Sequence, residues 1–393
     1  MERHNRRLWV LKMFTLDHTY EELISIEPVG RAVGNFFPSC WMQRIPSVHN
    51  RDAMRSIAET VQLESGRAFP AEAFVESANL LMEAYEKQRF CFVPLWKKQP
   101  EGWIPDADLN REESVYLLTG NPKVDNYAFA QTSGEGSVPP YESDAVPVEK
   151  RKKALMRPAV IICPGGGYHM LSTYFEGIQL AQRLERDGGY KAFILNYRML
   201  PNLYPLPQVD LAMAVMYVRL HGAEYGIDPE RVIVLGSSAG GHLCASEAFL
   251  YNSLKTQVLS FLTEKRRERY QKISARPDGV GLLYPVISFL SEYHEGSYLN
   301  LTGGREDLRD KLSVELHIGK DYPPTYAFAN EDDGCVPASN TVRLDKALEK
   351  AGVPHLCQIF PSGDHGIGLG YEFSCGKWSE NMLAFFENKP SFL

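Results

Sequence analysis

From residue 159 onward the chain alternates short apolar runs with segments of helical periodicity, and few architectures can accommodate that rhythm. The apolar runs fall at 159–163, 192–195, 232–235, 280–284, 326–329 and 356–360, and each is too short for a buried helix. Between them, residues 176–187, 209–224, 239–250 and 339–351 carry apolar side chains at helical spacing. A strand that is apolar at every position is covered on both faces, and strands joined by helices run parallel. The alternation therefore predicts an α/β chain: a mainly parallel sheet flanked by helices. In such sheets ligands sit beyond the carboxyl ends of the strands, so chemistry is to be sought just after each run.

The bulk numbers narrow the function classes. At 393 residues the chain fits one large domain with an extension, or two domains. A net charge of -7 argues against a nucleic-acid or anionic-membrane partner. The one dense basic run, "EKRRER" at 264–269, is mixed in sign and reads as a solvated helix face. Seven cysteines stand singly, with no C-x-x-C pair, which suits neither a disulfide framework nor a zinc site. The apolar stretch near the start is short and broken by Lys12, and no run of 18 apolar residues occurs. The expectation is a cytoplasmic protein with neither secretory signal nor membrane span. In that setting the sequon at Asn300 carries no information.

Residues 1–88 lack the strand–helix alternation and show helical spacing alone. "NRDAMRSIAETVQL" places Ala53, Ile57, Ala58 and Val61 on one helical face. "PAEAFVESANLLMEAYEKQ" opens on Pro70 and continues with Phe74, Leu80, Leu81 and Tyr85. This predicts an N-terminal helical extension, 1–88, packed as a brace on a main domain, 89–393. A lid, or a contact surface in a homo-oligomer, is the alternative role. The Gly/Pro/Ser-rich and then charged passage 131–153 reads as an exposed loop.

Three motifs sit where the sheet would put chemistry. After "RVIVL" comes "GSSAGGH", a G-x-S-x-G with Ser238 at its centre, between a predicted strand and a predicted helix. That context marks a nucleophile elbow, with Ser238 held on a tight exposed turn and a helix N-terminus behind it. A serine hydroxyl needs a base to take its proton, and the expected chain order is serine, acid, histidine. "YAFANEDDGCVP" places Asp332 and Asp333 after one apolar run, and "QIFPSGDHGIGLG" places His365 after the next. Asp333 is preferred for its D-x-x-V-P position, with Asp332 in reserve. His242 suits packing behind the serine, and His317 and His355 precede their strands; His169 is the other histidine on the correct edge. No histidine cluster accompanies the acid pair, so no metal is expected there.

The third motif is "CPGGGYHM", directly behind the run at 159–163. No lysine follows in P-loop register, and Met170 stands where a dinucleotide loop needs its last glycine. A strand followed by P-G-G-G-Y upstream of an elbow is instead the H-G-G-G kind of oxyanion loop, with Pro164 replacing the histidine. The N–H groups of Gly166, Gly167 and Ala239 would hold the developing oxyanion, and Tyr168 and His169 would line the substrate.

These segments, together with "AFILNYRMLP", "ISARPDGVGLLYPVIS" and "KALEKAGVPHLCQIFPSGDHG", resemble the acetylxylan and feruloyl esterase branch of the α/β-hydrolases. The resemblance runs from about residue 90 to the end. It implies an α/β-hydrolase fold and a serine esterase that removes acetyl, or less often feruloyl, groups from plant-derived saccharides. Ser238, Asp333 and His365 carry over as the triad, the glycine loop as the oxyanion site, and no cofactor takes part. Glu176, Arg198 and Asp210 match family positions as well and are read as structural, since a buried arginine needs a carboxylate. The long N-terminal region departs from the pattern and favours short oligosaccharides over polymers. A general short-chain carboxylesterase, a peptidase and a non-catalytic scaffold are the competing readings.

Overall fold

The computed structural model describes residues 13–33, 49, 51–62, 68–96, 115–124 and 156–387. Its eight strands are β1 (Phe90–Pro94), β2 (Tyr116–Gly120), β3 (Arg157–Cys163), β4 (Lys191–Asn196), β5 (Ile227–Ser237), β6 (Gly279–Leu283), β7 (Thr325–Asn330) and β8 (His355–Phe360). They form one sheet in the order β1-β2-β4-β3-β5-β6-β7-β8. β2 runs antiparallel to both neighbours, and every other pair is parallel. All six apolar runs become strands, with bounds shifted by a few residues. One run ends a residue early because Tyr284 takes a left-handed φ of 38° and turns the chain off the sheet.

Alternate strand residues feed two core layers, as the pleat requires. Ile161, Phe193 and Val234 point to the helices Leu206–Leu220 and Ser238–Phe261. Val160, Ile162, Ile194 and Leu235 point to Gln179–Asp187 and Trp378–Glu387. The helix expected at 239–250 runs on to Phe261, because "YNSLKTQVLSF" holds no breaker and keeps Leu254 and Val258 buried. Residues 176–187 form a helix whose start, Thr173–Ile178, is a π-helical turn.

The described helices of the N-terminal region are Tyr20–Ile24, Glu27–Val33, Met54–Thr60 and Ala71–Glu86. They rest on the π-helical turn. Phe74 lies 5.1 Å from the Tyr174 ring and Phe69 5.9 Å from it, centroid to centroid. Ser77 Oγ donates to the Tyr174 carbonyl at 2.7 Å. Fully burying an aromatic side chain of this kind contributes about 1.5–3 kcal/mol, so the contact is a firm one. The passage 131–153, the first twelve residues and Cys40 lie outside the described residues. Among the described helices none is long and apolar enough to cross a membrane.

Candidate active site

The site is assembled from loops at the carboxyl edge of β3, β5, β6, β7 and β8. β5 ends at Ser237, and Ser238, the first residue of the helix Ser238–Phe261, turns sharply with φ 52°. A left-handed serine costs on the order of 1–3 kcal/mol and persists only where the surroundings enforce it. They do so here through close approach: a Cβ at Gly240 would stand 2.1 Å from the Cys163 carbonyl oxygen and 2.6 Å from that of Pro164. Glycine at 240 thus lets the elbow helix lie against the glycine loop that leaves β3.

The structure brings Ser238, His365 and Asp333 into one line. His365 Nε2 lies 2.8 Å from Ser238 Oγ, and His365 Nδ1 lies 2.8 Å from Asp333 Oδ2. All three residues are at most 9% exposed. The other oxygen of Asp333 accepts from the Cys335 and Val336 amides at 2.9 and 2.8 Å, which fixes the carboxylate plane. Asp332 faces elsewhere and accepts from the Gly363 and Asp364 amides, so it holds the turn that carries His365. Burial alone would lower the His365 pKa. The charge of Asp333 and its hydrogen bond, with Glu176 and Asp364 behind them, override that and raise it above the ordinary imidazole value. An imidazole so placed can take the Ser238 proton and remain stabilised while it carries the charge.

In the loop after β3, Gly166 and Gly167 adopt φ 129° and 62°. The His169 and Met170 amides both donate to the Gly166 carbonyl at 3.0 Å, closing a tight turn. The Gly166 and Gly167 N–H groups donate to no acceptor among the described residues. Ala239, in the first helical turn, has no intrahelical acceptor for its N–H by position. These are the three N–H groups expected from the sequence at the oxyanion site.

Tyr168 does not line substrate. Its side chain is fully buried, with its hydroxyl 2.9 Å from His242 Nδ1 and its ring against Tyr197 and His242. With φ 59° the backbone turns this side chain inward, so a large aromatic beside a glycine loop serves the core. His169 is half-buried next to it. His242 is a core residue: Nε2 is 2.8 Å from the Leu312 carbonyl, which can only accept, so Nε2 carries the proton and Nδ1 accepts from Tyr168. Burial pushes its pKa down to about 4, and the ring stays neutral.

Arg198 and Asp210 form a buried two-pronged pair at 2.6 and 2.8 Å, joined by the Trp96 indole N–H at 2.9 Å. Two further residues make contacts whose partners have no signature in the sequence. Asn300 Nδ2 donates to the Gly167 carbonyl at 2.9 Å across a long sequence separation, so the residue of the uninformative sequon braces the glycine loop. Glu176 reaches the Gly165 amide at 2.8 Å and the Tyr284 hydroxyl at 2.7 Å. No local pattern around either residue signals the partner.

Sheet order, elbow, glycine loop and the serine–histidine–aspartate line together define an α/β-hydrolase. Residues 146–348, just over half the chain, match the BD-FAE family, and the chain belongs to it. It is 29% identical to endo-1,4-beta-xylanase B of Butyrivibrio fibrisolvens over 70% of this chain and 43% of that protein. It is 32% identical to an acetylxylan esterase of Xylanibacter ruminicola over 57% of this chain and 43% of that protein. The chain thus spans less than half the length of these curated relatives. Among solved structures, the acetyl ester-xyloside bifunctional hydrolase of Caldicellulosiruptor lactoaceticus superposes with a TM-score of 0.59 at 30% identity. That match covers 76% of this chain and 95% of the other.

Proposed function

We propose that the protein is a serine esterase that removes O-acetyl, or less often feruloyl, groups from plant-derived oligosaccharides through an acyl-enzyme. The observation that carries this reading is the 2.8 Å and 2.8 Å hydrogen-bond line from Ser238 through His365 to Asp333, set beside a glycine loop. Ser238 Oγ attacks the ester carbonyl carbon while His365 Nε2 takes its proton. The carbonyl electrons move to oxygen, which the Gly166, Gly167 and Ala239 N–H groups receive; losing one such donor costs about 10²–10³ in turnover. As the bond from the carbonyl carbon to the sugar oxygen breaks, His365 gives its proton to that oxygen, which leaves as a hydroxyl, and water repeats the sequence on the acyl-enzyme. Asp333 orients the imidazole throughout. The acetylxylan esterase and the acetyl ester-xyloside hydrolase among the relatives support acetylated xylo-oligosaccharides as the substrate class.

The same proposal divides the chain into a helical extension, residues 1–88, and a catalytic domain, residues 89–393, supported by the start of the sheet at Phe90. It places the protein in the cytoplasm, supported by cysteines that form no disulfide among the described residues. The test is turnover of p-nitrophenyl acetate and of acetylated xylo-oligosaccharides by wild type and Ser238→Ala. Wild type is expected to release acetate from both, and Ser238→Ala from neither. Activity surviving in Ser238→Ala removes the nucleophile assignment. Turnover of the nitrophenyl ester alone favours a general short-chain carboxylesterase.

A further inference from the structure

Glu176 stands under the active site with its side chain fully buried, in the first turn of the π-helical segment Thr173–Ile178. Its two oxygens serve two different loops. Oε2 accepts from the Gly165 amide, at the start of the glycine loop, at 2.8 Å. Oε1 accepts from the Tyr284 hydroxyl, just beyond β6, at 2.7 Å. That hydroxyl in turn accepts from the Gly368 amide at 3.1 Å, in the loop that carries His365. The Tyr284 ring meets the His365 ring edge to face, with centroids 4.9 Å apart and planes at 63°.

The contact with the nucleophile turn is just as tight. A Cβ built on Gly165 would stand 2.7 Å from Glu176 Oε2, 2.9 Å from the Ser237 carbonyl oxygen and 3.0 Å from Ser238 Cβ. Carboxylate, glycine loop and elbow therefore form one stack without spare room. A buried carboxylate is costly to hold, and this one forms no ion pair with an arginine or lysine among the described residues. The cationic group that faces it is His365, whenever that ring carries a proton.

We propose that Glu176, working partly through Tyr284, is a positioning residue that ties the glycine loop to the His365 loop and supplies His365 with a second negative charge. This rests on the serine-esterase reading above, because the charge matters most while His365 holds the proton of Ser238. The groups facing His365 are Asp333, Glu176, Asp364 and the Tyr284 ring; those facing Glu176 are Tyr284, His365 and, at longer range, Tyr197. Asp333 sets the ring's orientation and Glu176 adds field from the opposite element. Burial raises the Glu176 pKa above the ordinary carboxylate value, and the Tyr284 hydroxyl, His365 and the Gly165 amide offset only part of that rise.

The test is Glu176→Gln, which keeps the shape and removes the charge. A neighbouring opposite charge shifts a pKa by about 1–3 units, and Glu176 ranks behind Asp333 among the charges that raise that of His365. The acid limb of kcat/KM on p-nitrophenyl acetate is therefore expected to move about one pH unit toward acid, with kcat down about tenfold or more and KM little changed. The His365 imidazole titration, followed by NMR without substrate, should move by the same amount. Tyr284→Phe keeps the charge and cuts the bridge: kcat should fall while the acid limb moves less than in Glu176→Gln. The proposal is overturned if folded Glu176→Gln keeps both the acid limb and the His365 titration of wild type. Should Glu176→Gln not fold, a wild-type kcat in Tyr284→Phe overturns it. A wild type that hydrolyses no ester defeats the esterase reading alone, and the substrate-free titration still decides the role of Glu176.

Discussion

Adjacent carboxylates after β7 give the sharpest test of the proposed chemistry, because the structure gives Asp332 and Asp333 different work. Asp333 Oδ1 accepts from the Cys335 and Val336 amides, and Oδ2 meets His365 Nδ1 at 2.8 Å. In Asp333→Asn the two amides can only donate, so the new carbonyl oxygen must stay with them. The new NH2 group then points at Nδ1 and forces it to accept. The imidazole is driven into the tautomer protonated on Nε2, which faces Ser238 and can no longer take its proton. A wrong-tautomer change of this kind lowers kcat by about 10⁴, equivalent to about 5 kcal/mol of transition-state stabilisation. Asp332→Asn keeps an oxygen that can accept from the Gly363 and Asp364 amides, so its cost should stay below about tenfold. The measurement is kcat/KM for p-nitrophenyl acetate near pH 8, with melting temperatures to show that both variants fold. Turnover of Asp333→Asn within a hundredfold of wild type, or an equal loss in Asp332→Asn, refutes the assignment.

Two stability effects arise in the same core. His242 is held neutral, with a pKa of about 4 against 6.5 for an exposed ring, so the unfolded chain takes up its proton first as pH falls. Its contribution is complete above pH 6.5 and is lost on the way down to about 4, a total of about 3 kcal/mol. Urea midpoints at pH 7.5 and 4.5 should differ accordingly, and the difference should shrink in His242→Gln; an unchanged difference contradicts the buried neutral ring. Asp210→Ala leaves the Arg198 guanidinium buried without its carboxylate and should cost about 3–5 kcal/mol. The double variant Arg198→Met/Asp210→Leu should recover most of that loss in the same urea assay, and a double variant as weak as the single one would show that shape, not charge, is at stake.

The six strands β3 to β8 and most helices are legible in the sequence because burial on a sheet or helix face is written locally, as apolar runs and helical spacing. The elbow at Ser238, the glycine loop and the turn at His365 are legible for the same reason: each is a strand end followed by its own glycines. Beyond that local range the sequence is silent. Whether Tyr168 faces substrate or core depends on one left-handed φ, and the structure turns it to His242. The pairing of Glu176 with Tyr284, and of Asn300 with Gly167, joins loops more than a hundred residues apart. Their meeting follows from the strand order β1-β2-β4-β3-β5-β6-β7-β8, which lays the ends of β3, β5, β6, β7 and β8 side by side. Sequence by itself determined the six strands β3 to β8 and which residue types stand at their ends. Only the tertiary structure decided which of those ends touch, because a hydrogen bond between loops is set by the order and register of strands that no short window encodes.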